Sequence, residues 1–222
     1  MSIRRALEKC KKAKLKADLD SKAALIEAAK VVFGEKGFDG ATVKDLAEAA
    51  GVNVSLVSYY FDGKENLYRE CLGTFGQHHV ETAQRVLKTP STAEEFRVRL
   101  QMFAEEFVAL HHRDPDVCNI IRRDFESFNP IAMAIFKDTF IPMYDTLVAF
   151  VAAAKSAGFL RKATDPDTAT AIMFGGLVHL LRTEPMHIVI KGYSLLDKDH
   201  LEKTIQHYVL QSTQGLISEK HL

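Results

Sequence analysis

The sequence predicts an all-α protein, and three observations support this prediction. Nearly every segment of the 222 residues repeats its apolar positions with the period of a helix. The alternating Val, Ile and Thr runs that are typical of strands, bounded by Asn-Gly turns, are missing. The segment 89–91, Thr-Pro-Ser, interrupts the helical pattern and indicates a boundary between two helical parts.

The first part is expected to hold three short helices and one longer helix between residue 21 and about residue 88. Ser21 is a suitable N-cap for the first helix, and Gly37 lies where a left-handed residue often ends a helix. Phe38 should then fold back on the apolar face that includes Phe33.

The next short helices are joined by the segment AAGVN, whose glycine ends the second helix. Thr42 and Asp45 have the spacing of a capping box, with Asp in place of Glu, at the start of the second helix. Asn53 is expected to cap the third helix. Asp62 and Glu65 have the capping-box spacing at the start of the fourth.

The second part is expected to hold five further helices. The first begins at Ser91 or Thr92, and an Asp-Pro pair at 114–115 ends it. The others are expected over residues 115–128, 130–157, 166 to about 182, and 199–214. Pro142 should interrupt the helix over 130–157, because it removes a backbone donor and clashes with the preceding turn.

The charge distribution predicts a basic N-terminal arm over residues 1–20. Basic and acidic residues number 29 each, so the overall charge neither favours nor excludes a nucleic-acid partner. Glu8 is the one acid within a basic run: Arg4, Arg5, Lys9, Lys11, Lys12, Lys14 and Lys16. Three roles stay open for the arm: insertion into a DNA minor groove, binding of nucleic acid without sequence preference, and solvated disordered charge.

The cysteines predict a reducing, cytoplasmic environment. Cys10, Cys71 and Cys118 are widely spaced and odd in number, which favours neither a disulfide framework nor a zinc–thiolate site. No stretch approaches the roughly 18 to 20 apolar residues of a membrane span, and no apolar export segment follows the N-terminal charges. We expect a protein that is not exported and has no membrane partner.

The sequence predicts no metal, no cofactor and no catalytic residue. The candidate metal ligands are His78, His79, His111, His112 and Cys118. Adjacent histidines on a helix point in different directions, and no i, i+4 pair of histidines is present. Serine, cysteine, histidine and aspartate all occur, but no nucleophile elbow or phosphate loop accompanies them.

The two short helices joined by AAGVN have the size and turn of a helix-turn-helix, the unit that places its second helix in a DNA major groove. The second helix lies in the segment from Gly51 to Lys64. We expect three residues of this segment to be buried: Val52, Val57 and Phe61. The residues expected on its outer face are Val54, Ser55, Ser58 and Tyr59. Serine hydroxyls can bond either type of base, and a valine methyl can contact a thymine methyl. In the alternative interpretation, Val54 and Leu56 belong to the core.

These motifs resemble a known family. The run from Ala23 to Tyr68, AALIEAAKVVFGEKGFDGATVKDLAEAAGVNVSLVSYYFDGKENLY, is similar to the N-terminal domain of the TetR family of transcriptional regulators. The resemblance implies base contacts by Val54, Ser55 and Ser58. It implies contacts to the DNA backbone by Thr42, Asn53, Tyr59, Tyr60 and Lys64. Many members carry a basic residue in place of Val54 and a tyrosine in place of Ser58, so these two positions should set this chain's own sequence preference.

The resemblance also implies a helix-turn-helix domain over residues 21–66 and a ligand-binding and dimerisation domain over residues 67–222. Phenylalanine and methionine are frequent in the second domain and could line an apolar pocket. The candidate pocket residues are Met102, Phe103, Phe107, Phe125, Phe136, Phe140 and Phe174. The candidate dimer-interface residues, on two C-terminal helices, are Gly175, Gly176, Leu180, Leu201, Ile205 and Tyr208.

Together these features predict a dimeric regulator that binds a pseudo-palindromic double-stranded DNA operator, with its reading helices about 34 Å apart. A small apolar or amphipathic effector in the second domain would release it, as expected of a repressor. The main alternative is a helical small-molecule carrier or enzyme in which the helix-turn-helix is only scaffold.

Overall fold

The computed structural model describes residues 3–218 and 220, with side chains from residue 18 onward. The basic side chains of the N-terminal arm therefore lie outside the described residues. The helices are α1 (Ile3–Gly40), α2 (Val43–Ala49), α3 (Ser55–Phe61), α4 (Lys64–Val86), α5 (Ala93–Arg113), α6 (Pro115–Ser127), α7 (Pro130–Asp138), α8 (Phe140–Ser156), α9 (Pro166–Lys191) and α10 (Leu201–Gln214). Besides these helices, an isolated antiparallel bridge joins Leu160 and Ile217. Because the elements of the described residues are helices, the all-α prediction is confirmed.

The chain forms two compact units. The first comprises Met1–Gly76 and Asp114–Phe136, and the second comprises Gln77–Arg113 and Lys137–Leu222. The division expected at residue 66 therefore differs from the division in space, because α6 and most of α7 pack with the N-terminal helices.

In the first unit, α1 changes direction at Gly37, whose backbone has φ 78° and ψ 170°. A positive φ is a conformation that glycine adopts without steric cost. Phe38 then packs its ring on Phe33, with centroids 6.2 Å apart, and on Tyr68, with centroids 5.0 Å apart. The expected break at Gly37 is confirmed, but α1 begins well before Ser21, so Ser21 lies inside the helix and is not its cap.

In the first unit, polar contacts hold α6 against α1. Lys30 on α1 forms an ion pair of 2.8 Å with Asp114, the residue before α6. The Arg123 guanidinium on α6 donates to the backbone oxygens of Phe33 (2.7 Å) and Gly34 (3.2 Å). Asp124 beside it is 3% exposed, and burial, together with the charge of nearby Asp39, raises its pKa to about 6.

The second unit has a core of apolar side chains contributed by all its helices, including Phe96, Phe103, Phe107, Leu147 and Phe150. Its helix boundaries follow the predicted punctuation. The start of α5 is capped by Thr92, whose hydroxyl accepts from the Glu95 amide at 3.0 Å. The expected interruption near Pro142 occurs between α7 and α8, so this proline lies in the first turn of α8, where its missing donor costs nothing.

One helix of the second unit is longer than predicted. We expected a helix ending near Arg182, but α9 continues to Lys191 with Pro185 inside it and ends at Gly192 with φ 80°. Two contacts hold the C-terminal part of α9. The Ser194 hydroxyl donates to Glu184, and the His187 Nδ1 lies 2.9 Å from the backbone oxygen of Tyr193. These contacts join the last turns of α9 to the loop that follows.

Two searches of the described part of the chain bear on possible sites. None of its helices combines the length and the apolar character needed to cross a membrane. Within residues 18–218, no group of three or more His, Cys, Asp and Glu side chains comes together in a way that could hold a metal ion.

Candidate functional site

The helix-turn-helix forms as α2 and α3 with a tight turn between them. The Val52 amide donates to the Ala47 oxygen at 3.0 Å across the end of α2, and Gly51 between them has φ 65°. This pattern of a long backward bond over a left-handed glycine is a common helix C-cap. Val52 and Leu56 are half-buried on the inner side.

The start of α2 is fixed by the predicted capping box. The Thr42 hydroxyl accepts from the Asp45 amide at 3.1 Å, and the Asp45 carboxylate accepts from the Thr42 amide at 2.8 Å. The carboxylate also accepts from the Thr42 hydroxyl at 2.7 Å and forms an ion pair with Lys36 at 2.8 Å. These bonds, first of all the one from Lys36, hold the pKa of Asp45 well below its usual range.

The outer face of α3 carries the residues predicted to contact bases. Val54 is 49% exposed, and Ser55 and Ser58 are exposed as well. Val57 and Phe61 are only 0% and 6% exposed, and they hold the helix in the first unit. The structure therefore excludes the alternative in which Val54 is a core residue.

The start of α3 is held by Asn53. Its side-chain oxygen accepts from the Ser55 amide at 2.9 Å and from the Ser55 hydroxyl at 2.7 Å. Asn53 therefore forms a turn just before α3, whereas the N-cap position itself is taken by Val54, whose side chain makes no capping bond. Because the single hydroxyl proton of Ser55 is used here, Ser55 would face a base as a hydrogen-bond acceptor.

The two tyrosines expected at the DNA backbone are placed differently. Tyr59 is 71% exposed, whereas the Tyr60 hydroxyl donates to the Asp18 carboxylate on α1 at 3.2 Å. Burial and this neighbouring carboxylate raise the pKa of Tyr60, so its hydroxyl stays protonated. A phosphate contact by Tyr60 would therefore require its bond to Asp18 to be exchanged.

Lys64 also has internal partners. Its ammonium donates to the backbone oxygens of Phe38 (2.8 Å) and Ala41 (2.9 Å) and lies 4.3 Å from the centroid of the Phe38 ring. It ties the start of α4 to the chain between α1 and α2. An ammonium has three donors, so one remains for a phosphate oxygen.

Asp62 was expected to open α4 in a capping box with Glu65, but the structure gives it a different role. Asp62 is the C-cap of α3, with a left-handed backbone at φ 56°, and its amide donates to the Ser58 oxygen at 3.0 Å. Aspartate tolerates this conformation better than most residues. Gly63 follows with φ 118°, so the two residues together form the turn into α4.

Two residues of this surface were missed by the sequence reasoning. Lys44 is exposed in the first turn of α2, beside Thr42, where unpaired amides and the positive end of the helix favour an anion. Its basic side chain at a predicted helix start was a usable signal. Asp18 orients Tyr60 through a contact over 42 positions of sequence, which no local pattern reveals.

The residues predicted to line a ligand pocket are divided between the two units. Phe103 and Phe107 are each 1% exposed in the core of the second unit, and Phe140 and Phe174 pack against that core. Met102, however, is 43% exposed. Met102 is therefore not part of the core that holds Phe103 and Phe107, and its place in a pocket stays a prediction.

Two further candidates for that pocket, Phe125 and Phe136, lie in the first unit. Their rings contact each other edge to face with centroids 6.2 Å apart, and Phe125 is 62% exposed. Helical periodicity does not tell which unit a helix joins, so the sequence alone does not separate these aromatic residues from those of the second unit.

The predicted dimer-interface residues differ in how much of their surface is exposed. Ile205 is 0% exposed within its own unit, so it has no surface left for a partner, and that assignment is wrong. Leu201 packs partly against the core. The Tyr208 hydroxyl donates to the Met173 oxygen at 2.8 Å, and burial raises the pKa of this phenol.

The remaining interface candidates lie on α9. Gly175 is exposed, and Gly176 and Leu180 are half-buried. The sequence did not identify a set of exposed apolar residues on the same helix: Val178, Met186, Ile188, Val189 and Ile190. Val189 is the most exposed of them, at 85%.

Two of these candidates also border a groove in the second unit. The groove measures about 520 Å³, and Gly176 and Leu180 on α9 form part of one wall. Residues of α10 and of the loop before it form the rest, including Lys203 and Tyr208. None of the predicted pocket residues lines it.

The N-terminal residues match a known family. A family model described as bacterial regulatory proteins of the tetR family matches residues 25–71. YttP of Bacillus subtilis, named a probable HTH-type transcriptional regulator, is 38% identical over 80 residues, which are 35% of this chain and 39% of that protein. The HTH-type transcriptional dual regulator CecR of Shigella flexneri is 38% identical over 77 residues, 32% of this chain and 34% of that protein. The matches thus span well under half the length of either relative.

The fold of the whole chain has solved counterparts. The regulator FadR of Bacillus subtilis, solved in complex with stearoyl-CoA, has a TM-score of 0.68 at 18% identity and covers 86% of this chain and 98% of its own. SmeT, the repressor of the Stenotrophomonas maltophilia multidrug efflux pump SmeDEF, has a TM-score of 0.64 at 14% identity and covers 91% and 95%. At this identity the likeness shows the fold. Residues 25–71 thus match the tetR-family model, and the rest of the chain shares its fold with solved regulators.

Proposed function

We propose that this chain is a sequence-specific DNA-binding transcriptional regulator, a homodimeric repressor that a small apolar or amphipathic effector releases from a pseudo-palindromic operator. The observation that carries the proposal is the division of α3 into two faces. Val57 and Phe61 are buried, while Val54, Ser55 and Ser58 are exposed without contributing to the core.

That outer face suits a major groove. Small side chains let the helix backbone approach base edges closely, and Ser58 can donate to or accept from either type of base. Val54 can contact a thymine methyl group. A lysine or arginine would bind guanine bidentately instead, so Val54 in this position favours a site that is read by shape and apolar contact.

The surrounding residues can hold the phosphate backbone. The Tyr59 hydroxyl is exposed, Lys44 lies beside the first turn of α2, and Lys64 retains one donor beyond its two carbonyl partners. We propose that Thr42 and Asn53 act mainly through the backbone amides that their caps present. Contacts of this kind fix the register of the protein on DNA without reading sequence.

The effector is proposed to bind in the second unit. FadR, whose structure holds stearoyl-CoA, shares the fold, which supports an amphipathic molecule as a first candidate. Effector and operator binding would be coupled by roughly 1 to 3 kcal/mol, as in typical allosteric proteins. Such a protein acts where DNA is present, and we propose a cytoplasmic location.

The test begins with selection of duplexes from a random pool by the purified protein. A selected site with two-fold symmetry supports a dimer, because an isologous dimer presents two equivalent reading helices. A titration of the selected duplex with and without stearoyl-CoA then tests release. Failure to enrich any sequence would contradict the proposal, and unchanged affinity at saturating stearoyl-CoA would remove that effector class.

Lys64 allows the backbone contacts to be tested separately. If its free donor meets a phosphate, Lys64→Ala should weaken binding to all duplexes alike and reduce the salt slope by about 1 per subunit. An unchanged slope would show that Lys64 acts only through Phe38 and Ala41. Lys162→Gln, an exposed lysine of the second unit, is the control for a general change in charge.

The alternative of a carrier or enzyme with a helix-turn-helix scaffold predicts that ligand binding or turnover proceeds with no DNA partner. The family model that matches residues 25–71 is one of bacterial regulatory proteins, and YttP is named a probable transcriptional regulator, which favours the first proposal. A third possibility, binding of nucleic acid through the basic arm alone, would survive substitution of Ser55 and Ser58 and be lost on deletion of Arg4 to Lys16.

A further inference from the structure

The last turn of α3 carries three consecutive aromatic residues, Tyr59, Tyr60 and Phe61. The helix is seven residues long, and a helix shorter than roughly 12 residues has little stability of its own. Its position therefore depends on contacts with the rest of the first unit. Val57 and Phe61 supply buried apolar contacts. Because apolar burial is not directional, the more exposed rings of Tyr59 and Tyr60 need other contacts to have a fixed position.

Side chains from one turn of α1 supply such contacts. The Tyr60 hydroxyl donates to the Asp18 carboxylate at 3.2 Å, and the Ser21 side chain forms a hydrogen bond with the same hydroxyl. The Lys22 ammonium lies 5.4 Å from the centroid of the Phe61 ring, within the range at which a cation and an aromatic face attract each other. Residues 18, 21 and 22 of α1 thus hold the C-terminal turn of α3.

Tyr59 is connected to this set through Tyr60. The two rings meet edge to face, with centroids 5.0 Å apart and planes at 71°, an arrangement that aromatic pairs favour. Tyr59 is 71% exposed, so burial does little to fix its ring. Contact with Tyr60 is therefore important for where the Tyr59 hydroxyl lies.

The two phenols differ in what they can offer to a phosphate. A phenol has one proton to donate, and Tyr60 gives its proton to Asp18. Burial and the neighbouring carboxylate also raise the pKa of Tyr60, so it stays protonated in this bond. The Tyr59 side chain is exposed and can donate to a phosphate oxygen.

We propose that Asp18 is a positioning residue for DNA binding: it holds Tyr60, and Tyr60 holds the Tyr59 ring where its hydroxyl meets a phosphate. This inference rests on the proposed function, DNA binding through α3, and it removes Tyr60 from the expected backbone contacts. Asp18 does not contact the phosphate itself, because a carboxylate repels an anion. Its effect on DNA binding is indirect.

The alternative is that Tyr60 leaves Asp18 on DNA binding and donates to the phosphate. The Asp18 carboxylate would then lose its partner beside a second negative charge, which is unfavourable. The bond between Tyr60 and Asp18 is therefore expected to persist in the complex. The two arrangements predict different effects of the same substitutions.

The first experiment compares Asp18→Ala with Asp18→Asn in titrations of the selected duplex and of a mixed-sequence duplex of the same length. Both variants remove the same charge, but asparagine keeps an oxygen that can accept from Tyr60. Asp18→Asn should bind at least as tightly as the parent. Asp18→Ala should bind both duplexes about tenfold more weakly than Asp18→Asn, the loss expected for one hydrogen bond to a phosphate.

The matched control is a second acidic residue of the same helix. Asp20 is exposed and lies two positions further along α1. Asp20→Ala and Asp20→Asn should bind each duplex equally, because neither substitution affects the bond to Tyr60. A difference between the alanine and asparagine variants at position 18 alone would therefore report the hydrogen bond and not the charge.

The second experiment tests whether Asp18 acts through Tyr59. Tyr59→Phe keeps the ring and removes the hydroxyl, and it should weaken binding of both duplexes about tenfold in the parent. In the Asp18→Ala background the same substitution should weaken binding less than about threefold, because residues that act through each other are not additive. Adding Tyr60→Phe to Asp18→Ala should cause no further loss.

Three results would overturn the proposal: equal binding by Asp18→Ala and Asp18→Asn, full additivity of Asp18→Ala with Tyr59→Phe, or a further loss on adding Tyr60→Phe. The last would assign the phosphate contact to Tyr60. Urea denaturation of each variant corrects the affinities for the folded fraction, and a loss that disappears on this correction would show a role in folding only. If the parent binds neither duplex, the proposed function fails. If the parent binds and the two Asp18 variants are equal, only this inference fails.

Discussion

The helix-turn-helix segment, residues 42–64, and the C-terminal segment that contains α9 and α10 are both helical, but they are held in different ways. In the first segment, the contacts at the helix starts are local, because Thr42 bonds Asp45 and Asn53 bonds Ser55, residues two or three positions apart. In the second segment, Tyr208 bonds the Met173 oxygen over 35 positions.

This difference explains where sequence reasoning works. A cap or a turn depends on a few adjacent residues, so its pattern is visible in the sequence. A contact over many positions depends on the tertiary fold, and no local signal specifies it. The comparison also predicts that substitutions of Thr42 and Asn53 should act through local helix ends, and those of Tyr208 through packing between helices.

The largest effect should come from the buried face of α3. Val57→Asp places a charge at a side chain that is 0% exposed, and it should lower the free energy of unfolding by roughly 3 to 5 kcal/mol, because the carboxylate has no partner there. Urea denaturation followed by circular dichroism measures the loss.

The matched control is the next residue on the same helix. Ser58→Asp adds the same charge on the exposed face and should change the unfolding free energy by less than about 0.5 kcal/mol. Equal losses in the two variants would show that α3 does not have the two faces described.

The capping box should have the next largest effect. Thr42→Ala removes the hydroxyl that both accepts from and donates to Asp45, and should cost about 1 to 2 kcal/mol of unfolding free energy. Thermal and urea unfolding at neutral pH measure it. Thr92→Ala, which removes the cap of α5 with one such bond, is the comparison and should cost less.

The same cap should depend on pH in a defined direction. The folded-state pKa of Asp45 is lowered, so the folded chain binds this proton less readily than the unfolded chain. Its contribution to stability is therefore complete above the ordinary aspartate pKa of about 4 and is lost as the pH falls below it. Asp45→Asn should remove this part of the acid dependence, and an unchanged acid profile would contradict the assignment.

Much of the fold was predictable from the sequence because its helix ends carry local signals. Gly37 and Gly51 adopt the positive φ expected of them, and Asp165 caps α9 by accepting from the Thr168 amide at 2.8 Å. The extension of α9 past Pro185 was not predictable, since proline alone argues for a helix end.

The candidate interface shows the same limit. The exposure of Val54 and Ser58 followed from the period of α3 and the buried partners on its other side. The bonds of Lys64 to Phe38 and Ala41 and of Tyr60 to Asp18 did not, because each joins residues more than twenty positions apart.

The long-range contact of Tyr208 should have a moderate effect. Tyr208→Phe keeps the ring and removes the hydroxyl that donates to the Met173 oxygen, and it should lower the unfolding free energy by about 1 kcal/mol, the usual net value of one hydrogen bond. Tyr193→Phe, whose tyrosine is 41% exposed, should cost less and retain the stacking on His200. The reverse order of the two losses would contradict the packing described for α10.

The smallest effect on folding belongs to the outer face of α3, where the effect on DNA should be largest. Ser58→Ala should leave the unfolding free energy within about 0.5 kcal/mol of the parent, because its side chain is exposed. If Ser58 contacts a base, the variant should instead change which base is preferred at one position of each half-site, with a discrimination of about 1 to 3 kcal/mol for a good contact. Competition between selected and singly substituted duplexes measures this preference. Loss of affinity for every duplex alike, without a change in preference, would assign Ser58 to the DNA backbone and leave base reading to the other exposed residues of α3.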